Sequence, residues 1–199
     1  VGIVSTMYPG GDDGTPDSVG RPLRGVEIEI VDPAGRPVPP GEPGEIRLRC
    51  ESMVERYFDD PVATSRHFSD GWFYPRDIGS ITPGGVLRFL GRRDDMMMLN
   101  GINIFPAEIE RVLEEHPAVR NAAAFPIPSA TYGDIPAAAV ELNGTMEVDV
   151  SALSAYARGR LGVRAPRKVV IVATLPRNAN GKVVKRELVA ALAQGRTGG

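Results

Sequence analysis

The chain has 199 residues, enough for one large domain or two small ones. A hydrophobic share of 42%, a charged share of 24% and a formal net charge of -2 are ordinary for a soluble globular chain and argue against broad electrostatic binding to nucleic acid or anionic membrane. Cys50 is the single cysteine, so no internal disulfide can form, which fits a reducing, cytoplasmic compartment; the longest apolar run, around 169–175, is far short of the roughly 20 residues of a spanning helix.

The opening Val1-Gly-Ile-Val-Ser-Thr carries no initiator Met and reads as the interior of a longer protein, so the chain is expected to be a fragment. Strand signals run from Asp17 to Phe89. Val26, Ile28 and Ile30 alternate with Glu27 and Glu29, and Ile46 and Leu48 alternate with Arg47 and Arg49. Asp32-Pro-Ala-Gly35 is a turn between them. Thr82-Pro-Gly-Gly85 closes a hairpin between 77–81 and 86–90.

The pattern changes after Arg93. Pro106 suits a first helical position, Glu108 and Glu110 favour the positive helix start, and Pro117 stops the helix. Residues 119–125, 137–142 and 169–172 read as strands. Leu153, Tyr156, Ala157 and Leu161 recur at helical spacing, and Leu188, Val189 and Leu192 give a terminal amphipathic helix. The expected fold is α+β: a small twisted antiparallel β subdomain over 1–93, then a compact α+β domain over 94–199. His67 and His116 lack metal-ligand partners, Met96–Met98 reads as core packing, and Arg93, Glu114 and Glu115 read as solvated.

Two motifs carry the chemistry. Gly71-Trp-Phe-Tyr-Pro-Arg-Asp77-Ile-Gly leads through the hairpin to Gly91-Arg92-Arg-Asp94-Asp and then to Asn100-Gly101-Ile-Asn-Ile-Phe-Pro. Near the end stands Leu175-Pro-Arg-Asn-Ala-Asn-Gly-Lys182. In this order they resemble the adenylate-forming superfamily of acyl-CoA synthetases, peptide-synthetase adenylation domains and luciferases. Ser18-Val-Gly-Arg-Pro-Leu and Gly44-Glu-Ile-Arg also match, so the resemblance spans nearly the whole chain. It places 1–93 at the end of the large AMP-binding domain and 94–199 as the mobile C-terminal lid. The phosphate loop, most of the adenine site and the acyl pocket would lie upstream of Val1.

The resemblance implies a role for each residue. Asp77 holds the ribose hydroxyls of ATP, because a carboxylate accepts two hydroxyls side by side. The family's usual Thr-Gly before this Asp is Pro75-Arg76 here, which changes the local backbone. Arg92 offers a donor fork to ribose or phosphate oxygens. Asp94 is the hinge about which the lobes pivot. Asn100 and Gly101 line the tunnel for the pantetheine arm of CoA. Lys182 is the catalytic cation of adenylation, and no metal ligand is assigned. A unit charge about 4 Å from developing charge is worth roughly 4 kcal/mol at an effective dielectric near 20, about three decades in rate.

The reaction so implied is that of an ATP-dependent carboxylic acid–CoA ligase of the fatty-acid type. It uses ATP, Mg2+ and coenzyme A, forms an acyl-adenylate and then a thioester, and leaves the fragment alone inactive, with none of these expected to stay tightly bound to it. The loop around Lys182 also resembles the site where a protein lysine acetyltransferase silences some bacterial members. Two alternatives stay open: an adenylation domain that loads a carrier protein, and a non-catalytic binding or regulatory module that kept the fold.

Overall fold

A computed structural model describes residues 5–6 and 17–193. The chain divides into two compact units, Val1–Asp94 and Asp95–Gly199.

The first unit is built from strands β1 (Ser5–Thr6), β2 (Ser18–Pro22), β3 (Val26–Val31), β4 (Gly44–Cys50), helix α1 (Pro61–His67), β5 (Phe68–Ser69), β6 (Trp72–Phe73), β7 (Asp77–Ile81) and β8 (Leu87–Arg92). They form one eight-stranded sheet in the order β1-β2-β8-β7-β4-β6-β5, with β3 paired to β4. Every pairing is antiparallel. The alternation in β3 and β4 sets their register. Ile30 lies opposite Ile46 and Ile28 opposite Leu48 on the apolar face, where Ile30, Ile46 and Leu87 pack together. On the other face Arg47 meets Glu29 at 2.5 Å and Arg49 meets Glu27 at 2.7 Å. Both guanidinium groups also lie over Trp72, 4.5 and 4.4 Å from its ring centre.

The β7–β8 turn is closed by Gly85 N–H on the Thr82 carbonyl (2.8 Å), with Gly85 at φ +79°. Helix α1 lay hidden among the strand signals. Asp60 caps it by accepting the Ala63 N–H at 2.8 Å, and Pro61 follows at its start. None of its residues is buried, so no apolar periodicity marks it.

The second unit contains β9 (Met97–Leu99), β10 (Ile102–Ile104), α2 (Pro106–Glu114), β11 (Val119–Ser129), β12 (Gly133–Leu142), α3 (Val150–Leu161), β13 (Lys168–Val172) and α4 (Lys185–Ala193). The sheet runs β10-β9-β12-β11, and β13 lies parallel to β12. Its two faces are both covered, which explains the near-continuous apolar runs in β11 and β12. Ala122, Ala124, Ala138 and Val140 pack under α2 and α3, against Ile109, Leu113, Leu153 and Ala157. Ala123, Phe125, Ala137 and Ala139 face the other way, toward Leu175 and Leu188 of α4. The alanines let the helices sit close to the sheet.

Strand β11 is an edge, and its outward amides are taken by α2. Glu110 accepts the Ala124 N–H at 2.9 Å and Glu114 the Ala122 N–H at 3.0 Å. Glu114 is therefore engaged although exposed, which corrects its reading as a purely solvated side chain; Glu115 pairs with Arg111 at 2.6 Å. Of the three methionines only Met97 is core, with no exposure; Met98 is half exposed because it points to the opposite side of β9. Among the described residues no helix is long and apolar enough to cross a membrane.

Candidate functional site

Asp77 opens β7 and Arg92 closes β8, and the register sets them opposite one another. Arg92 Nη1 lies 3.2 Å from Asp77 Oδ1. That oxygen is buried and has no hydrogen-bond partner, so the guanidinium is near it without donating to it in good geometry. Burial pushes the Asp77 carboxyl above its ordinary range, and Arg92 pulls it back down without cancelling the rise. Among the described residues, Asp77 is also the one charged side chain on a cavity of about 360 Å³ otherwise lined by groups such as Val19, Leu48, Phe73, Pro75 and Phe89. The Asp77 side chain stays a quarter exposed beside a half-exposed cation and an apolar wall, so the carboxylate can receive hydroxyl groups.

The residues around this pair form an ionic strap. Arg93 is not a free surface charge: its Nη1 is 2.6 Å from Glu45 Oε2. Arg76 has φ +66° and donates Nη2 to Asp94 Oδ1 at 2.6 Å and Nε to Oδ2 at 3.1 Å. The Arg76 fork holds the Asp94 carboxyl below its ordinary range. Arg76, which stands where the family's usual Gly precedes the Asp, is thus the partner of Asp94.

In the second unit, Asn100 and Gly101 are the turn between β9 and β10, at φ +50° and +79°. An Asn-Gly pair with both φ values positive is the hairpin chemistry of a two-residue turn. A Cβ at Gly101 would meet nothing within 4 Å, so its glycine serves the backbone angle and leaves the turn open to approach.

Lys182 stands on a tight loop between Leu175 and α4. Asn178 grips its backbone from both directions: Asn178 Oδ1 accepts the Lys182 N–H at 3.0 Å, and Asn178 N–H donates to the Lys182 carbonyl at 2.9 Å. Asn178 Oδ1 also accepts the Asn180 N–H at 3.0 Å, and Arg177 Nη1 donates to the Gly181 carbonyl at 2.8 Å. The backbone under Lys182 is fixed while its side chain is exposed. Nearby Lys185 is different, since its ammonium sits 2.8 Å from Glu110. Two other cations of the second unit are engaged within it: Arg164 pairs with Glu108 at 3.0 Å and Arg160 lies over Tyr156. His67 Nδ1 lies 2.7 Å from the Tyr74 carbonyl, and His116 Nδ1 accepts the Ala118 N–H at 3.2 Å. Among the described residues no group of three His, Cys, Asp or Glu side chains could hold a metal ion.

Residues 1–58 match the family model of the AMP-binding enzymes, and residues 108–182 that of the AMP-binding enzyme C-terminal domain. The chain belongs to the adenylate-forming, AMP-binding superfamily and carries that family's C-terminal domain. It is 38% identical over 172 residues to the 2-succinylbenzoate–CoA ligase of Geobacillus kaustophilus, a match covering 86% of this chain and 35% of that protein. It is 32% identical over 171 residues to a long-chain-fatty-acid–CoA ligase of Escherichia coli, covering 86% of this chain and 30% of that one. Its fold superposes on the o-succinylbenzoate CoA synthetase of Bacillus subtilis, solved with an acyl-adenylate intermediate, at a TM-score of 0.84 and 33% identity, over 93% of this chain and 38% of that one. An amide bond synthetase from Marinactinospora thermotolerans superposes at a TM-score of 0.82 and 33% identity, over 88% of this chain and 36% of that one. The chain spans about a third of the length of the curated relatives it matches.

Proposed function

We propose that this chain supplies the ribose anchor, the hinge and the catalytic lysine of an ATP-dependent carboxylic acid–CoA ligase. The observation that carries the proposal is the part-buried Asp77 carboxylate set opposite Arg92 across β7 and β8, in a chain of this family. Asp77 accepts the ribose hydroxyls, and Arg92 donates to ribose or phosphate oxygens. Residues 1–93 act as the end of the large domain and 94–199 as its mobile partner, with Asp94 as the hinge.

In the first half-reaction a substrate carboxylate attacks the α-phosphorus of ATP, and the bond to pyrophosphate breaks. Both reactants are anions. Lys182 offsets their repulsion and stabilises the charge that develops on the phosphoryl oxygens. Mg2+, when bound, neutralises charge on the phosphates. In the second half-reaction the lid turns, and the Asn100-Gly101 turn lines the path of the pantetheine arm. The CoA thiol attacks the acyl carbon, AMP leaves, and the thiol proton passes to solvent. Named relatives act on aromatic, succinylated and long-chain acids, which have the carboxylate in common. That favours CoA over a carrier-protein thiol and leaves the acid's own class to the acyl pocket. Use of ATP and CoA favours the cytoplasm. Acetylation of the exposed Lys182 by a protein lysine acetyltransferase would remove the cation and silence the first step.

The test is ATP–pyrophosphate exchange by the whole protein that carries this chain, over a panel of aromatic and aliphatic carboxylic acids. Exchange with one class of acid, and a loss of about 10- to 150-fold in kcat/KM for ATP in Asp77→Ala, are expected from losing hydrogen bonds to a charged group. Absence of exchange with every acid, or an Asp77→Ala variant with unchanged kcat/KM for ATP, contradicts the proposal.

A further inference from the structure

The boundary between the two units falls between Asp94 and Asp95. The three side chains that lead up to it are each tied back into the first unit: Arg92 to Asp77 at 3.2 Å, Arg93 to Glu45 at 2.6 Å and Asp94 to Arg76 at 2.6 Å. The last of these differs from the others. It has two points of contact, Nη2 on Oδ1 and Nε on Oδ2, so it fixes the orientation of the Asp94 carboxylate as well as its distance.

The holder is itself in an unusual state. At φ +66° Arg76 occupies the left-handed region, where glycine or asparagine is at ease and a long side chain is uncommon. Such a conformation persists where the surroundings over-determine it. Here the Arg76 carbonyl accepts the Arg93 N–H at 2.8 Å while its guanidinium takes Asp94, so one residue grips two successive positions of the strap. The Arg76 side chain is 20% exposed and Asp94 is 52% exposed, so water and salt reach the carboxylate side of the pair.

We propose that Arg76 is a latch on the junction. While it holds Asp94, the backbone up to Asp94 is part of the first unit and freedom begins only at Asp95. When the pair breaks, the flexible point moves back toward Arg93. Because the pair is half exposed, ionic strength sets how often it opens. This is a property of the two units whatever reaction they serve. A failed latch leaves the reading of Asp77 and Lys182 standing, and failure of that reading leaves the latch.

The experiment is amide hydrogen exchange, read residue by residue in the whole protein that carries this chain, on the wild type, Arg76→Asn and Asp94→Ala. Asparagine keeps the backbone preference at 76 and removes the fork; alanine at 94 removes the partner and leaves Arg76 in place. At low salt the amides from Arg93 to Met96 are expected to exchange about two- to five-fold faster in both variants, the range set by a partly exposed ion pair. The difference is expected to shrink at about 1 M salt, where screening acts over roughly 3 Å. Amides of β7 and β8 away from the strap serve as the internal control. Equal exchange from 93 to 96 in the wild type and both variants at low salt overturns the latch, as does a wild type whose exchange there does not respond to salt.

Discussion

Asp77 and Arg92 oppose each other in register, 3.2 Å apart, and yet the buried Oδ1 of Asp77 receives no hydrogen bond of good geometry. Burial lifts the Asp77 carboxyl above its ordinary value of 3.8. An acid whose folded value lies above its unfolded one stabilises the fold fully below the unfolded value. That contribution is lost as pH rises through the folded value. Asp77→Asn, which keeps the shape and removes the charge, is therefore expected to be at least as stable as the wild type at pH 7 and to match it more closely at pH 3. Urea unfolding at the two pH values measures this. A wild type clearly more stable than Asp77→Asn at pH 7 contradicts it.

The backbone beneath the pair leaves no room for a side chain. A Cβ on Gly79 would lie 2.5 Å from the Arg88 carbonyl oxygen and 2.7 Å from Ile46 Cδ1. The first contact is with backbone and cannot rotate away. Gly79→Ala is expected to cost about 3 kcal/mol of stability. It should also shift the amide signals of β7 and β8. A variant within about 0.5 kcal/mol of wild type would show that the β7–β8 register relaxes more easily than the packing allows.

Glu110 joins three elements of the second unit. It accepts the Ala124 N–H of the edge strand at 2.9 Å and lies 2.8 Å from Lys185 at the start of α4. Removing it leaves a part-buried amide without an acceptor and a lysine without its counter-charge. Glu110→Ala should destabilise the chain by about 1–3 kcal/mol, more than Glu115→Ala at the C-terminal cap of α2. Chemical denaturation of both variants decides; equal effects would mean that the Ala124 amide finds water instead.

The parts of the chain that were legible in the sequence were those where one force dominates. The Glu27/Glu29 and Arg47/Arg49 alternation dictated a half-buried pair of strands, and the register puts those charges opposite each other. Pro106 and the apolar positions 109, 112 and 113 specified α2. Helix α1 escaped because it buries nothing, although Asp60-Pro61 is a capping signal in plain sight. The β9–β10 hairpin escaped because its strands are three residues each, too short for an alternation to register; Asn100-Gly101 was the available clue. The partners of Arg76 and Arg93 lie 18 and 48 positions away, so only the folded backbone brings them together. The same holds for the unsatisfied state of Asp77, which is a property of burial and angle rather than of residue type.

Asn178 is expected to act through Lys182 rather than on substrate. Its side chain and its backbone both hold the Lys182 main chain. In the whole protein, Asn178→Ala should lower kcat of adenylate formation about ten-fold with little change in KM for ATP, because the cation is misplaced in the transition state more than in the ground state. Asn178→Asp keeps an oxygen acceptor in the same place and should restore most of the rate. A purely structural loss would move stability and leave both variants equally impaired.

Lys182 is expected to serve one half-reaction and not the other. The most direct measurement compares the two in the whole protein carrying Lys182→Ala: pyrophosphate exchange for adenylate formation, and conversion of a supplied acyl-adenylate with CoA for thioester formation. A loss of about three decades is expected in the first, the size of one well-placed charge, and near-wild-type rates in the second. Equal loss in both, or retention of both, would contradict it.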